Sequence, residues 1–128
     1  MCWCFSSKKK DLLIPINELE KQHDKNKIWR NKVNQELGKS YKKIFSLIDT
    51  IIFLKIPSFK HVFKWRLLQE KKLRITSKGK KTMSDNQIKN FIMFYERLTK
   101  HMLQSLTYKA DAVIKIDVEH RLKSIKFN

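Results

Sequence analysis

Eight basic residues lie between positions 64 and 81 of the 128-residue chain, in a stretch with a single acid, Glu70. They are Lys64, Arg66, Lys71, Lys72, Arg74, Lys78, Lys80 and Lys81. Cations gathered in this way neutralise phosphate oxygens, and arginine is well suited because its planar guanidinium binds two oxygens at once. Arg66 is therefore the first candidate for a phosphate contact. The alternative is a surface ion pair between Arg66 and Glu70, which lie one helical turn apart.

Two further groups of polar side chains could hold a small ligand. Arg97 and His101 lie four positions apart, so they share one face of a helix and could meet a carboxylate together. Asn17, Glu18 and Glu20 are predicted to lie in a loop after a strand, where α/β sheets place ligand groups. Each group also has an ordinary structural interpretation, as helix-surface polar groups in the first case and as capping or loop-bracing residues in the second.

The sequence contains no phosphate-binding loop of the G-x-x-x-x-G-K-[ST] type. Such a loop needs glycines so that backbone N–H groups can surround the phosphates, and the chain has only Gly38 and Gly79. The tetrapeptide at 79–82 has a similar composition, but Arg74 stands at the position of the first glycine and Lys81 at that of the Ser or Thr. We interpret it as a solvated basic loop.

Metal ligands and membrane segments are not indicated. Cys2 and Cys4 form a single Cys-x-Cys without a second pair, and the four histidines show no H-x-x-x-H spacing. The longest apolar run, 44–56, is interrupted by Asp49 and Lys55 and is shorter than the ~20 residues of a spanning helix. We therefore predict no metal site, no membrane anchor and a cytoplasmic protein.

The net charge of +17 raises the alternative of a small basic nucleic-acid-binding protein. Lysine supplies 24 of the 29 basic residues and arginine only five. Because arginine is preferred for phosphate and base recognition, the lysine excess favours a compositional origin of the charge. The phenylalanines that could stack on bases fall at helical spacings that core packing explains: Phe45, Phe59, Phe63, Phe91 and Phe94. Specific nucleic-acid binding is therefore not expected.

The helices that would position these side chains follow from apolar spacings of three and four. The pattern predicts helices over 26–47, from Ser58 to about Lys72, and from Ser84 to about Tyr108. Ser58 is interpreted as an N-cap, and Ser84 with Gln87 has the form of a capping box.

Short apolar runs alternate with these helices. The runs at 50–56 and 112–117 predict buried parallel strands, residues 1–5 predict the end of another, and 120–128 predict a charged tail. Helices and strands in this order predict one α/β domain, with two or three parallel strands and long flanking helices.

Six motifs in this chain resemble those of the D-glycerate 3-kinase-like P-loop kinases, in the same order and at about the same spacing. They are Pro15-Ile16-Asn17-Glu18-Leu19-Glu20, Trp29-Arg30-Asn31-Lys32-Val33-Asn34, Pro57-Ser58-Phe59, Trp65-Arg66-Leu67-Leu68-Gln69-Glu70, Met83-Ser84-Asp85 and Tyr95-Glu96-Arg97-Leu98-Thr99-Lys100-His101. The resemblance covers nearly the whole chain. It implies that residues 1–128 are the C-terminal part of a partial P-loop NTPase (kinase) domain that lacks the nucleotide-binding loop.

The resemblance also implies an activity and assigns roles to residues. The complete enzyme would transfer a phosphoryl group from ATP, with Mg²⁺, to a small hydroxy acid such as glycerate. Residues about 64–82 would form its lid, with Arg66 as the catalytic residue and Arg66, Lys71, Lys72 and Arg74 as ATP contacts. The substrate side would comprise Asn17, Glu18, Glu20, Arg97 and His101.

Two parts of such a kinase are missing. Family members carry an acidic residue followed by Gly-Trp-Cys where this chain begins Met1-Cys2-Trp3-Cys4, and the phosphate loop is also absent. We therefore expect the chain to be inactive alone, and a further hypothesis is a non-enzymatic subunit that docks on a separate N-terminal half. Without the central strand, one sheet edge would be exposed, which predicts oligomers, aggregation or loose packing.

Overall fold

A computed structural model of the protein describes residues 6–77 and 82–128. A 3₁₀ helix at Lys9–Leu12 precedes five α-helices and three strands. The helices are α1 Glu18–His23, α2 Ile28–Gly38, α3 Ser40–Phe45, α4 Lys60–Thr76 and α5 Asp85–Lys109, and the strands are β1 Ile52–Lys55, β2 Ala112–Ile116 and β3 Leu122–Phe127. The strand predicted at 1–5 and the basic residues Lys78, Lys80 and Lys81 lie outside the described part.

The sheet confirms the α/β prediction, with strand order β1-β2-β3. β1 runs parallel to β2, as expected for strands joined through helices, and β3 runs antiparallel to β2. Helix α5 packs on one face of this sheet, where Phe53, Val113, Leu106 and Ala110 form a small core. This core fixes the sheet to the longest helix of the chain.

The predicted charged tail at 120–128 is wrong, because most of it forms β3. Asp117 makes the turn that returns the chain: its Oδ1 accepts hydrogen bonds from the backbone N–H groups of Glu119 (2.9 Å) and Arg121 (2.8 Å). His120 takes a left-handed conformation (φ 66°) in the same turn. A bulge at the Lys115/Ile116 step of the ladder broke the alternation that would have revealed the strand.

The predicted helix over 26–47 is divided at Lys39, whose φ and ψ of −117° and −80° are not helical. Glycine is a poor helix former, so Gly38 is a natural place for α2 to end. The apolar side of this segment, predicted to be buried, remains exposed at Val33, Tyr41 and Ile44.

The ends of α4 and α5 show one wrong and one correct capping prediction. Phe59, not Ser58, is the N-cap of α4, and the Ser58 hydroxyl instead lies 3.1 Å from His61 Nδ1. The capping box of α5 is confirmed, since Ser84 Oγ accepts from Gln87 N–H and Gln87 Oε1 accepts from Ser84 N–H. Helix α4 also extends four residues beyond the predicted end at Lys72.

The two phenylalanines of α5 that were assigned to the core, Phe91 and Phe94, are exposed, as is Tyr95. Each of the three makes an edge contact with another ring. Phe94 packs against Trp29 at 5.3 Å between ring centroids, and Phe91 against Tyr95 at 5.2 Å. The core interpretation is therefore wrong for Phe91 and Phe94.

Among the described residues, no helix is long and apolar enough to cross a membrane.

Candidate functional site

The first and last motifs of the chain meet through Asn17, the N-cap of α1. Its side-chain oxygen accepts from Glu20 N–H at 3.0 Å, and its Nδ2 donates to the Met93 carbonyl and to Glu96 Oε2, both at 3.0 Å. One amide therefore caps a short helix and joins it to the middle of α5. The capping interpretation describes these contacts, but the predicted loop is wrong for Glu18 and Glu20, which lie in α1.

Glu20 and Arg97 form the centre of the same junction. Arg97 Nε donates to Glu20 Oε1 at 2.8 Å and its NH2 donates to Glu20 Oε2 at 2.6 Å. The same guanidinium donates to the carbonyls of Asp11 (2.5 Å) and Ile14 (2.8 Å). Glu20 is only 2% exposed, and its Oε2 also accepts from Ile16 N–H. We call these contacts the Glu20–Arg97 clamp.

Opposing effects act on the pKa of Glu20. Burial raises the pKa, but hydrogen bonds from Arg97 and Ile16 and the charges of Arg97 and Arg30 together hold it below its ordinary value of 4.5. Glu20 is therefore held as a carboxylate by the residues around it. A carboxylate engaged in this way is a positioning group and has little capacity left for a substrate.

A second buried ion pair joins Asp24 and Arg30, two residues that were not predicted to have a functional role. Arg30 NH1 donates to Asp24 Oδ2 at 3.0 Å and its Nε donates to the Leu12 carbonyl at 2.7 Å. Asp24 also accepts from the N–H groups of Trp29 and Arg30 at the start of α2. Burial raises the pKa of Asp24, but these hydrogen bonds bring it below 3.8. In the sequence, the motif that begins with Trp29-Arg30 is the feature that could have drawn attention to Arg30.

An open pocket of about 370 Å³ lies beside the clamp, and we call it the basic pocket. Arg97 and His101 both line it, so the structure brings this predicted pair together, and Lys10, Lys100 and Gln104 join them. Lys100 Nζ is 2.6 Å from Glu96 Oε1 and 6.0 Å from the centre of the Phe59 ring.

The remaining substrate candidates do not line the basic pocket. Asn17 and Glu20 act behind it, through Glu96 and Arg97. Glu18 lies on the surface of α1 and pairs with Lys21 at 2.9 Å. Of the five predicted substrate residues, two therefore line the pocket, two support its wall from behind, and Glu18 lies on the outer surface.

On α4, Arg66 pairs with Glu70, as in the alternative interpretation of the sequence, but the pair is not a surface one, because the Glu70 side chain is only 2% exposed. Arg66 NH1 is 2.5 Å from Glu70 Oε2, and Glu70 Oε1 accepts from Met83 N–H at 2.7 Å. The Met83 hydrogen bond is the main reason that the pKa of Glu70 lies below 4.5, and it outweighs the opposing effect of burial. Arg74 donates to the Met83 carbonyl and to Asp85. Glu70 and Arg74 thus join α4 to the start of α5.

Arg66 and Lys72 line one groove of about 490 Å³ on α4, together with Trp65, Gln69 and His120. The Trp65 and His120 rings are stacked, with centroids 4.3 Å apart and planes inclined by 15°. Because His120 follows β2, the groove lies close to the carboxyl end of that strand, where open α/β sheets bind ligands. Lys71 and Arg74 do not line it.

In residues 6–77 and 82–128, no group of three or more His, Cys, Asp or Glu side chains could hold a metal ion. The pocket and the groove described above present cations that suit phosphate or carboxylate oxygens.

Comparison with known proteins finds a likeness among solved structures. No protein-family model and no curated protein matches the chain. Among solved structures it is similar to D-glycerate 3-kinase from Cryptococcus neoformans var. grubii serotype A, with a TM-score of 0.65 and 19% identity over 77% of this chain. The match spans 35% of the kinase, so this chain covers about a third of its length. At this identity the likeness shows the fold alone, a mixed α/β arrangement like that of part of the kinase.

Proposed function

We propose that this chain is the C-terminal part of an ATP-dependent kinase that phosphorylates a small hydroxy acid resembling glycerate. The observation that carries the proposal is the fold likeness to a D-glycerate 3-kinase over most of the chain. Phosphoryl transfer depends mainly on positioning and on neutralising charge, and the chain offers a basic recess on each of its two long helices. It lacks the phosphate loop, so it is inactive alone.

The basic pocket on α5 is the proposed substrate side. Lys10, Lys100, Arg97 and His101 line a space suited to a small carboxylic acid. Arg97 already makes four donor contacts out of five possible N–H groups, so it has at most one left for a substrate. Lys10 and Lys100 are therefore the proposed carboxylate contacts, with Lys100 positioned by its ion pair with Glu96 at 2.6 Å, and Glu20 and Asn17 hold the wall of the pocket in place.

The groove on α4 is the proposed phosphate side. Arg66 is oriented by Glu70, and Lys72 lies on the same helix, less than two turns further along. With one guanidinium nitrogen on Glu70, the remaining donors of Arg66 can reach a phosphate oxygen, so the ion pair and the phosphate role are compatible. Lys71 and Arg74 have a weaker case, because neither lines the groove and Arg74 is engaged at Met83 and Asp85.

The test joins this chain to the part of the Cryptococcus enzyme that has no counterpart here, and measures ATP-dependent phosphorylation of D-glycerate. Arg66→Ala should lower kcat at least ~10-fold, because it removes a transition-state contact. Lys100→Ala should mainly raise the KM for D-glycerate, because it removes a contact that is made before and during the reaction.

Lys60→Ala is the matched control, since Lys60 is an exposed cation on α4 that does not line the groove. It should leave both constants unchanged. A joined protein that folds but phosphorylates no small hydroxy acid would contradict the proposed function, and one indifferent to Arg66→Ala would contradict the role of the groove.

A further inference from the structure

The side of the sheet that faces away from α5 is apolar and largely uncovered in the described structure. The ladder places three rows of residues on it: Ile52 with Ala112 and Phe127, Leu54 with Ile114 and Ile125, and Ile116 with Leu122. Ile52, Leu54, Leu122, Ile125 and Phe127 are each between 52% and 78% exposed. We call this surface the open sheet face. Contiguous apolar surface of this kind marks an interaction site.

The register of β3 determines which of its side chains lie on the open sheet face. Leu122 and Ile125 are an odd number of residues apart, so in a regular strand they would point to opposite sides of the sheet. The bulge opposite Lys115 and Ile116 inserts one residue and returns Leu122 to the side of Ile125. Lys126 pairs with Val113 on the side of α5. The rows of the open sheet face therefore contain no lysine, although the chain carries +17.

In the part of the chain that the structure describes, the outer edge of β1 is open beside this face. Within residues 6–77 and 82–128, β2 is the strand that pairs with β1, through its inner edge. The carbonyl of Ile51 points toward β2, where it accepts from Ala112 N–H. Because backbone direction alternates along a strand, the N–H and C=O groups of Ile52 and Leu54 point toward the open edge. These groups are available to a further strand.

We propose that the open sheet face and the β1 edge together bind a strand–helix segment of a second polypeptide. Its strand pairs with β1 in parallel, and its helix lays an apolar stripe across Ile52, Leu54 and Ile125. The two features require one unit, because β1 already pairs with β2 in parallel, parallel strands are connected through crossover helices, and sheets of parallel strands are covered on both faces. The proposal rests on the proposed function for the identity of the partner: a segment from the two thirds of a kinase-like chain that have no counterpart here.

A second copy of this chain fits the surface less well. Two copies would bring together charges of +17 each, and like charges oppose association. Two open sheet faces packed on each other would also leave the edge groups of both β1 strands without partners. A neutral or acidic strand–helix segment would cover the apolar face, pair with the backbone groups of the β1 edge and avoid repulsion between like charges.

The experiment measures binding of the full chain, without nucleotide or glycerate, to the part of the Cryptococcus D-glycerate 3-kinase that has no counterpart here. The expected result is a one-to-one complex in sedimentation. Ile125→Lys with Phe127→Lys should weaken the complex at least ~30-fold, because buried lysines are left unpaired. Ile28→Lys with Ile75→Lys is the matched control: both positions are more than 70% exposed but lie on α2 and α4, and binding should be unchanged.

A second pair of variants tests the edge separately from the face. Leu54→Pro removes a backbone donor directed at the partner strand, whereas Leu54→Ala shortens the side chain and keeps the donor. Proline is tolerated on an edge strand where its missing N–H faces solvent. The proline variant should therefore retain the far-UV circular dichroism of the chain and bind more weakly than the alanine variant.

Two results would overturn the proposal. The first is self-association of the chain that the Ile125→Lys, Phe127→Lys variant abolishes and the kinase segment does not displace, which would make a second copy the occupant. The second is absence of binding in trans together with no rise in the melting temperature when the segment is covalently joined. A complex that forms but has no kinase activity would leave the docking surface intact and contradict the proposed function.

Discussion

Arg97→Ala should destabilise this protein strongly, because it breaks the Glu20–Arg97 clamp and leaves a buried carboxylate. Glu20 is 2% exposed, and it would keep only the backbone N–H of Ile16 from the contacts described above. Removing one partner of a buried ion pair costs ~3–5 kcal/mol. Because the Arg97 side chain is itself 16% exposed, we expect the lower end, about 3 kcal/mol. That is a large part of the ~5–15 kcal/mol that stabilises an ordinary domain.

Urea unfolding followed by circular dichroism at pH 7 measures this change. Lys21→Ala is the matched control, because its surface pair with Glu18 is 59% and 64% exposed and should be worth less than ~1 kcal/mol. The double variant Glu20→Gln, Arg97→Ala should recover part of the loss, since no charge is then left buried, giving a coupling of at least ~1 kcal/mol. If Arg97→Ala unfolds at the same urea concentration as Lys21→Ala, the clamp contributes nothing to stability and the reasoning fails.

Three further predictions concern pH and ligands. The pKa of Glu20 lies below its ordinary value of 4.5, so its contribution to stability is complete above pH 4.5 and is lost as the pH falls through the lower folded value. Acid titration of the melting temperature should therefore be shallower for Glu20→Gln than for the exposed control Glu18→Gln; equal slopes would contradict this. Calorimetry should find weak or no binding of ATP–Mg²⁺ by the lone chain, since the backbone cradle for phosphates is absent; a dissociation constant in the low micromolar range would reveal another phosphate site. Duplex DNA should bind weakly, without sequence preference, and be released between ~50 and ~200 mM salt; tight binding to one sequence at physiological salt would favour the nucleic-acid hypothesis.

Local signals predicted the parts of the fold that local interactions determine. The capping box at Ser84 and Gln87 and the apolar runs at 50–56 and 112–117 depend on neighbouring residues, and the structure contains the cap and both strands. β3 was missed because its bulge breaks the period of two and its lysines resemble a solvated tail. Phe91 and Phe94 have core spacing, but spacing alone does not show whether a neighbouring element is present to cover them.

For the candidate site, the sequence predicted which types of residue take part but not which residues they contact. Arg97 was selected as a cation that could meet a substrate, and its long-range contacts with Glu20, Asp11 and Ile14 could not be read from positions more than 75 residues apart. Arg66 and Glu70, four residues apart on one helix, were a local pair and could be anticipated. The buried pair of Asp24 and Arg30 lies within six residues, but its geometry depends on the turn before α2.

The stack of Trp65 on His120 gives the protein an internal optical reporter. Trp65 belongs to α4 and His120 to the turn between β2 and β3, so their separation of 4.3 Å measures the position of the helix against the sheet. Indole emission changes in intensity and wavelength when a stacked ring is removed and water replaces it. In a background with Trp3→Phe and Trp29→Phe, the fluorescence of Trp65 would report displacement of α4 directly, with no attached dye.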